Sequence, residues 1–439
     1  MRDILLLTIF LGVLPFAVRH TWIGVLLWNW VSLMNPHRLA FGFATTTPFA
    51  AITAGATLIS LVLTRDKLKM TWDPPVIALL VLVLWMCIST VIAIDPVDSW
   101  DQLLKVLKID LMVVVAMAAL QTRKQLEGFI WVNILSIGYF GFKGGIFTIL
   151  TGGSERVWGP AGTFIEDNNE LAVALVITIP MMYFLRAVAT RPAVRHGLLV
   201  LMLLCALAAL GTQSRGALLA ISAMGLFLWF RLKRKVVTGL TITAVAAALI
   251  AFMPASWDER MGTIQTFEQD ASANARLLSW QMTINLARDR PWGGGFAIYT
   301  REIYDKYLPE STHNQVAHSI YFSMLGEHGY VGLFIYVLML GLSFRLAGKI
   351  RRTALLDPAT AWVHLLAGMC QVSILGFAVG GAFLSLAYFD LPYNILVMLV
   401  VVNRWMTEKR WLQEPTGVFG SASPDAHRAT ETMMLPGRA

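Results

Sequence analysis

Solid apolar runs such as "VIALLVLVLWMCISTVIAI", from Val76 to Ile94, recur along most of the 439 residues and constrain the fold more than any other feature. Each is long enough to cross a hydrocarbon layer as a helix, which takes about 20 residues. None shows the inside/outside alternation of a membrane β-barrel strand. The apolar fraction is 56% and the charged fraction 14%, against about 25% charged residues in soluble domains. The pattern predicts an all-α polytopic membrane protein. Its net charge of +8 sits largely in short connectors, as the positive-inside rule requires, so nucleic acid is not an expected partner. Cys87, Cys205 and Cys370 lie in apolar runs without metal-ligand spacing and read as small core residues. "MRDILLLTIFLGVLPFAV" has no small-x-small cleavage site and reads as an uncleaved membrane segment.

Loop charge gives a topology. "TRDKLK", "TRKQ", "RAVATRPAVRH", "RLKRK", "RLAGKIRR" and "NRWMTEKR" are basic and are expected in the cytoplasm. The loops between them differ: "IDPVDSWD" is acidic, "GGSERVWGPAGTFIEDNNE" is polar and glycine-rich, and residues 254–317 hold six Lys/Arg against eight Asp/Glu. These are expected outside. The sum is about 12 transmembrane helices with both ends inside, if Asp3 to Met34 is one long or broken span. Two short helices there give 13, with the N-terminus outside. Helices 1–9 then occupy 1–253, a long periplasmic segment 254–317, and helices 10–12 residues 318–405. Residues 406–439 read as a disordered cytoplasmic tail.

The segment 254–317 is too long for a plain connector. "SANARLLSWQMTINLARDRPWGGG" predicts a surface helix capped near Ser272 and stopped at Pro291 and Gly293, with Arg276 and Trp280 one turn apart on one face. Arg288 and Arg290 at its end are further candidate site residues. Arg215, in the tight outward hairpin "GTQSRGALLA", breaks the positive-inside trend. It reads either as an interfacial arginine reaching for water or as a fixed cation for an anionic substrate at the start of a helix. Asp167 and Asn169 in "TFIEDNNELA" read either as helix caps or as partners for sugar hydroxyls or a cationic side chain. Lys105 and Lys108 are expected to pair with Asp98, Asp101 and Asp110.

Together these stretches resemble the O-antigen ligase superfamily, which contains lipopolysaccharide O-antigen ligases, O-antigen polymerases and bacterial O-oligosaccharyltransferases. The resemblance rests on "SRGALLA", on "NARLLSWQMTINLARDRPWGGGF", on "AHSIYFSMLGEHGYVGLFIY" and on "GTFIEDNNELA", and covers about Gly152 to Gly332. Trp292 stands where a smaller aliphatic residue is common in the family. In the third stretch, Glu327, Gly329 and Gly332 follow His318 at +9, +11 and +14, a spacing that His313 does not match. His318 is therefore the candidate catalytic residue. His313 is assigned to the loop at the site's mouth, and His328 to a structural role.

The resemblance implies a GT-C-like fold and a multi-pass protein of the bacterial inner membrane whose active site faces the periplasm. It implies a donor glycan on undecaprenyl pyrophosphate and, in a ligase, a lipid A–core acceptor. Arg215 and Arg276 would hold the pyrophosphate through charge-assisted forks. With no outward Asp-x-Asp or His/Asp cluster, a reaction needing neither metal nor other cofactor is expected. His318 would take the proton of the acceptor hydroxyl, since imidazole changes charge in the neutral range, and direct attack would invert the anomeric centre. A polymerase or a protein O-oligosaccharyltransferase would use the same residues. A transporter or flippase for lipid-linked sugars is the reading from another class; it predicts charges deep inside several helices.

Overall fold

The computed structural model of the protein describes residues 1–64, 66, 68–231, 235–251, 253–254, 271–311 and 314–414. Every regular element among them is helical. Six segments are long and apolar enough to cross a membrane: Pro74–Val91, Arg123–Leu150, Asn168–Val188, Pro192–Gly211, Ile320–Leu356 and Pro358–Phe383. Thr21–Met34 and Phe49–Leu63 are apolar but shorter.

The N-terminal stretch is two helices rather than one span. Helix α1 (Arg2–Arg19) ends at His20, whose backbone is extended, and α2 (Thr21–Met34) turns back from there. Leu6 and Phe10 of α1 share a core with Leu27 and Val31 of α2 and with Phe49, the first residue of α3 (Phe49–Leu63). Asp3 Oδ1 accepts from the backbone N–H groups of Gly42 and Ala44, beyond the end of α2. The two helices are therefore antiparallel, and the start of α1 sits beside the 36–45 connector. A Cβ added at Gly162 would meet Arg38 Cζ of that connector at 3.2 Å. His20, at the break, faces Asp66 at 3.4 Å. Of the two readings of this stretch, the geometry therefore matches the split one, with Met1 at the end of the bundle that carries Gly162.

The remaining loops sort into the same two ends. At the Gly162 end, Ile94 N–H donates to Gly294 O at 2.8 Å and Val157 N–H to Gly211 O at 3.1 Å. Asn168 Nδ2 donates to Thr212 O at 2.6 Å, and Ser385 N–H to Glu170 Oε1 at 3.3 Å. At the other end the guanidinium of Arg404, in α15 (Asp390–Thr407), donates to the carbonyls of Lys69, Met117 and Leu120. Loops that are polar or acidic in sequence thus gather at one end and basic ones at the other.

Local chemistry sets the helix starts. Asp95 accepts from Val97 and Asp98 N–H to open α5 (Pro96–Ala119), with Pro96 at N1. Thr122 and Gln125 form a capping box on α6 (Arg123–Leu150). Then come α7 (Asn168–Val188), α8 (Pro192–Gly211), α9 (Arg215–Arg231) and α10 (Lys235–Ala251). Three features differ from the sequence expectations. Residues 406–414 are packed, with Trp411 donating to Asp357 and Glu414 accepting from Arg123 N–H; residues 415–439 lie outside the described residues. Lys105 donates to Gln102 Oε1 at 3.3 Å instead of pairing with an aspartate. Asp110 and Asp390 are both buried inside the bundle, so ionisable groups are not confined to its ends.

Candidate functional site

Residues 271–311 and 314–319 form a cover on the Gly162 end. Helix α11 (Ala271–Asp289) takes in Ser272 and ends just ahead of Pro291; α12 (Arg301–Tyr307) follows. Met282 and Leu286 of α11 pack on Ile303, Tyr304 and Tyr307 of α12. Tyr307 Oη and Lys306 Nζ both hydrogen-bond Asp289, with Tyr307 first, and hold that carboxyl below its ordinary range.

The cover is clasped to the bundle at a break in α13 (Ile320–Thr353). Gly329 interrupts that helix at φ 68°, ψ −168°, a conformation essentially confined to glycine. The break frees carbonyls that the Gly-rich turn takes up: Gly294 N–H donates to Gly326 O and Gly295 N–H to Glu327 O, both at 2.9 Å, and Tyr330 N–H donates to Pro291 O at 3.0 Å. A Cβ at Gly329 would overlap Pro291 O, and one at Gly293 would overlap Glu327 O. Arg290 tightens the clasp by donating to Ile92 O beyond α4 (Pro74–Val91) and to Gly293 O. Arg288 is exposed at the end of α11. Neither lines the pocket of the other two arginines.

That pocket lies where α9 meets α11. Gln213, at φ 57°, turns the chain out of α8, and its carboxamide accepts from Arg156 Nε at 3.2 Å. Ser214 Oγ caps α9 by accepting from Ala217 N–H at 3.3 Å, and Arg215 falls in its first turn, at the positive end of the helix dipole. Arg215, Gly216 and Leu219 from α9, Arg276, Leu277 and Trp280 from α11, and Phe383 enclose about 320 Å³. The pocket pairs two cations with apolar walls.

His318 adjoins it. Trp280 stacks on Phe322 with ring centroids 4.6 Å apart and planes 11° apart. Its indole N–H donates to Ala317 O at 2.8 Å. Ser279 Oγ and Tyr304 Oη both donate to Gln315 O. So fixed, the chain turns at His318 through φ 44°, a left-handed conformation uncommon outside glycine, and Ser319 then caps α13. The turn brings His318 Nδ1 to 3.8 Å from Glu170 Oε1. The His318 side chain is 31% exposed and that of Glu170 7%. His313 lies outside the described residues.

Glu170 is in the first turn of α7 and was not singled out by sequence reasoning. Its signal was an acidic residue three positions after the cap Asp167. Asp167 Oδ1 accepts from Asn169 N–H and from Asn169 Nδ2, each at 2.8 Å. This is the capping alternative, with Asn169 turned to Asp167. Burial pushes the Asp167 carboxyl up. Hydrogen bonds with Glu170 and Asn169 and the nearby His318 outweigh it and hold the group below its ordinary range.

Beyond the Gly329 break is a second feature. His328, fully buried, bonds Ser89 Oγ through Nδ1 at 2.7 Å and Tyr388 Oη through Nε2 at 2.8 Å, and Tyr388 donates to Glu327. Its backbone carbonyl accepts from Trp85. His328 is thus a packing residue in a polar chain. Among the described residues no three His, Cys, Asp or Glu side chains gather as a metal-holding group.

Fold and site define a multi-pass helical membrane protein with a cationic, apolar-walled pocket beside a histidine–carboxylate pair at one end of its bundle. Residues 199–337 match the model of the O-antigen ligase family, and residues 1–190 match that of a family of unknown function (DUF5935). The segment 199–337 belongs to the O-antigen ligase superfamily, as its motifs indicated. It contains Arg215, Arg276, Trp280, His318 and Glu327, whereas Asp167 and Glu170 fall in the other match. No curated protein matches the chain.

Proposed function

We propose that the protein transfers a polysaccharide from undecaprenyl pyrophosphate to lipid A–core, at the periplasmic face of the bacterial inner membrane, by a metal-free inverting reaction. One observation carries this reading. Arg215 and Arg276, far apart in sequence, line one pocket, and Trp280 of that pocket anchors the backbone of the residue before His318. A lipid pyrophosphate is an anion attached to an apolar chain and matches cationic groups on apolar walls. Arginine forks bind phosphate oxygens bidentately. They would stabilise the charge that develops as the bond to the sugar breaks.

His318 would accept the acceptor's proton through Nε2, which has no hydrogen-bond partner among the described residues. Glu170 faces Nδ1 and would orient the ring and favour the imidazolium once formed. The acceptor oxygen bonds to the anomeric carbon, the bond to the pyrophosphate breaks, and the leaving group departs with the electron pair. The left-handed turn at His318 fixes the ring's position, which fits a group that must be held in place.

The test is an in vitro transfer assay with purified protein, lipid-linked glycan and lipid A–core, run with and without chelator. Arg215→Ala and Arg276→Ala are expected to remove nearly all transfer, and Arg→Lys at either site to restore part of it. Full activity in an alanine variant removes that arginine from the site. Strict dependence on added Mg²⁺ overturns the metal-free scheme. Transfer only to a lipid-linked repeat, or only to a peptide, reassigns the acceptor to that of a polymerase or a protein O-oligosaccharyltransferase.

A further inference from the structure

A second cavity, of about 420 Å³, shares no lining residue with the arginine pocket. It falls in the range of about 300–1,000 Å³ typical of small-molecule sites. Asp98, Asp101, Gln102 and Lys105 reach it from the first turns of α5. Phe296 and Tyr299 come from the cover, Glu327 from the α13 break, and Ser385 and Tyr388 from the connection before α15. We propose that this cavity is the acceptor's sugar site and that it selects an uncharged saccharide. The proposal rests on the transferase reading above.

Three observations carry it. First, Ser385 Oγ is shielded from solvent and has no hydrogen-bond partner among the described residues, and the shielded Tyr299 hydroxyl lies in the same lining with Ser323 and the Ala317 backbone as its hydrogen-bonding neighbours. Shielded polar atoms in proteins are nearly always satisfied, and sugar hydroxyls, which donate and accept, suit this mixed lining of hydroxyls, carboxyls and a carboxamide. Phe296 and Tyr388, 5.2 Å apart between ring centroids, offer faces to the apolar side of a pyranose ring. Second, the charge is opposite to that of the arginine pocket. Among the described residues Lys105 is its one cation, already engaged by Gln102, against the carboxylates of Asp98 and Asp101. A phosphorylated or carboxylated sugar would be repelled. Third, the cavity's lining is linked to His318. Val316 lines it, two residues before the histidine. Ser385, which also lines it, gives its N–H to the Glu170 carboxylate that faces His318. An acceptor hydroxyl from this side and a donor from the arginine side would meet at the imidazole. The chain from Ser89 through His328 and Tyr388 to Glu327 holds two of the lining groups in place.

The experiment uses the full-length protein in lipid nanodiscs. Transfer is measured while acceptor and donor are varied separately, in wild type, Tyr299→Phe, Ser385→Ala and the double variant Asp98→Asn/Asp101→Asn. Each is expected to raise the acceptor KM about tenfold, the equivalent of one or two lost hydrogen bonds, with donor KM unchanged. Asp98→Lys/Asp101→Lys is expected to shift preference toward a phosphorylated acceptor. Unchanged acceptor KM in all variants, or a change confined to donor KM, overturns the proposal. A second arm keeps the two readings separable: saturation-transfer NMR with core oligosaccharide freed of lipid, before and after phosphatase treatment. Binding of the dephosphorylated form, lost in Tyr299→Phe and Ser385→Ala, in a protein that transfers nothing would sink the transferase reading and keep the sugar site. Equal binding of both forms would overturn the charge selection.

Discussion

Two histidines stand ten residues apart in one stretch and have opposite surroundings. His318 precedes α13 in a left-handed turn, partly open, with a carboxylate on one ring nitrogen. His328 lies inside the helix, fully buried, with both ring nitrogens engaged. A residue that must gain and lose a proton needs access to a partner from outside the protein. A residue that ties two helices to the connection before α15 needs the reverse. The contrast is one of burial and hydrogen-bond saturation: the His318 ring is partly open to a partner from outside, and the His328 ring is closed to one.

The largest effect expected from breaking this contrast is on rate. His318→Ala should lose about 10²–10⁴-fold in transfer, the usual contribution of a general base, with donor binding and thermal stability kept; a loss under tenfold would remove the base assignment. His328→Ala should do the opposite. It removes one hydrogen bond each from Ser89, which keeps Met86 O, and from Tyr388, which keeps Glu327, at about 0.5–1.5 kcal/mol per lost bond, and empties a fully buried position, so it should lower the thermal midpoint in detergent markedly; unchanged stability with lost activity would exchange the two roles. Gly329→Ala should cost at least about 1–3 kcal/mol from its backbone conformation alone, beyond the overlap with Pro291 O, and should expose the 271–311 cover to limited proteolysis; wild-type resistance would mean that the clasp is dispensable. Glu170→Gln, which keeps the shape but removes the charge facing His318, should slow transfer by about tenfold, the value of one modest electrostatic contact. Unchanged kcat would leave Glu170 only its bond to Ser385.

The smallest effect should come from Asp167→Asn, because asparagine caps a helix as well as aspartate does. Asp167 is held below its ordinary range in the folded protein. Its stabilising contribution is therefore present above the unfolded carboxylate range and is lost as pH falls through the depressed folded value. Asp167→Asn should match wild type at neutral pH and lose less stability on acidification. An identical fall of the thermal midpoint in both would contradict the depressed value.

The sequence was informative where one residue type answers one local need. Apolar runs marked the helices, Asp167 the start of α7, and Pro291 and Gly293 the stop after α11. Loop charge anticipated the sorting of connectors into two ends. Arg215, Arg276 and Trp280 were legible as misplaced polar groups, and the structure brings them together. What escaped depended on distant partners. Arg290 carries the same charge as Arg276, yet it is consumed by Ile92 and Gly293 carbonyls, and no local signal distinguishes the two. The turn at His20 escaped because an apolar stretch of this length accommodates either one helix or two, and only Leu6 and Phe10 packing against Leu27 and Val31 decides between them. Glu170 looked like an ordinary first-turn carboxylate because its histidine partner is nearly a hundred and fifty positions away.

The clasp between the Gly-rich turn and the α13 break also bears on how this protein can be recombined with its relatives. The 271–318 cover is not a detachable module. Its turn completes the hydrogen bonding of residues 326–330, and Arg290 and Gly294 reach the chain at residues 92–94. A chimaera that exchanges the cover alone would join a foreign turn to a helix whose carbonyls are spaced for another. Acceptor specificity should therefore transfer between homologues only when these three stretches travel together.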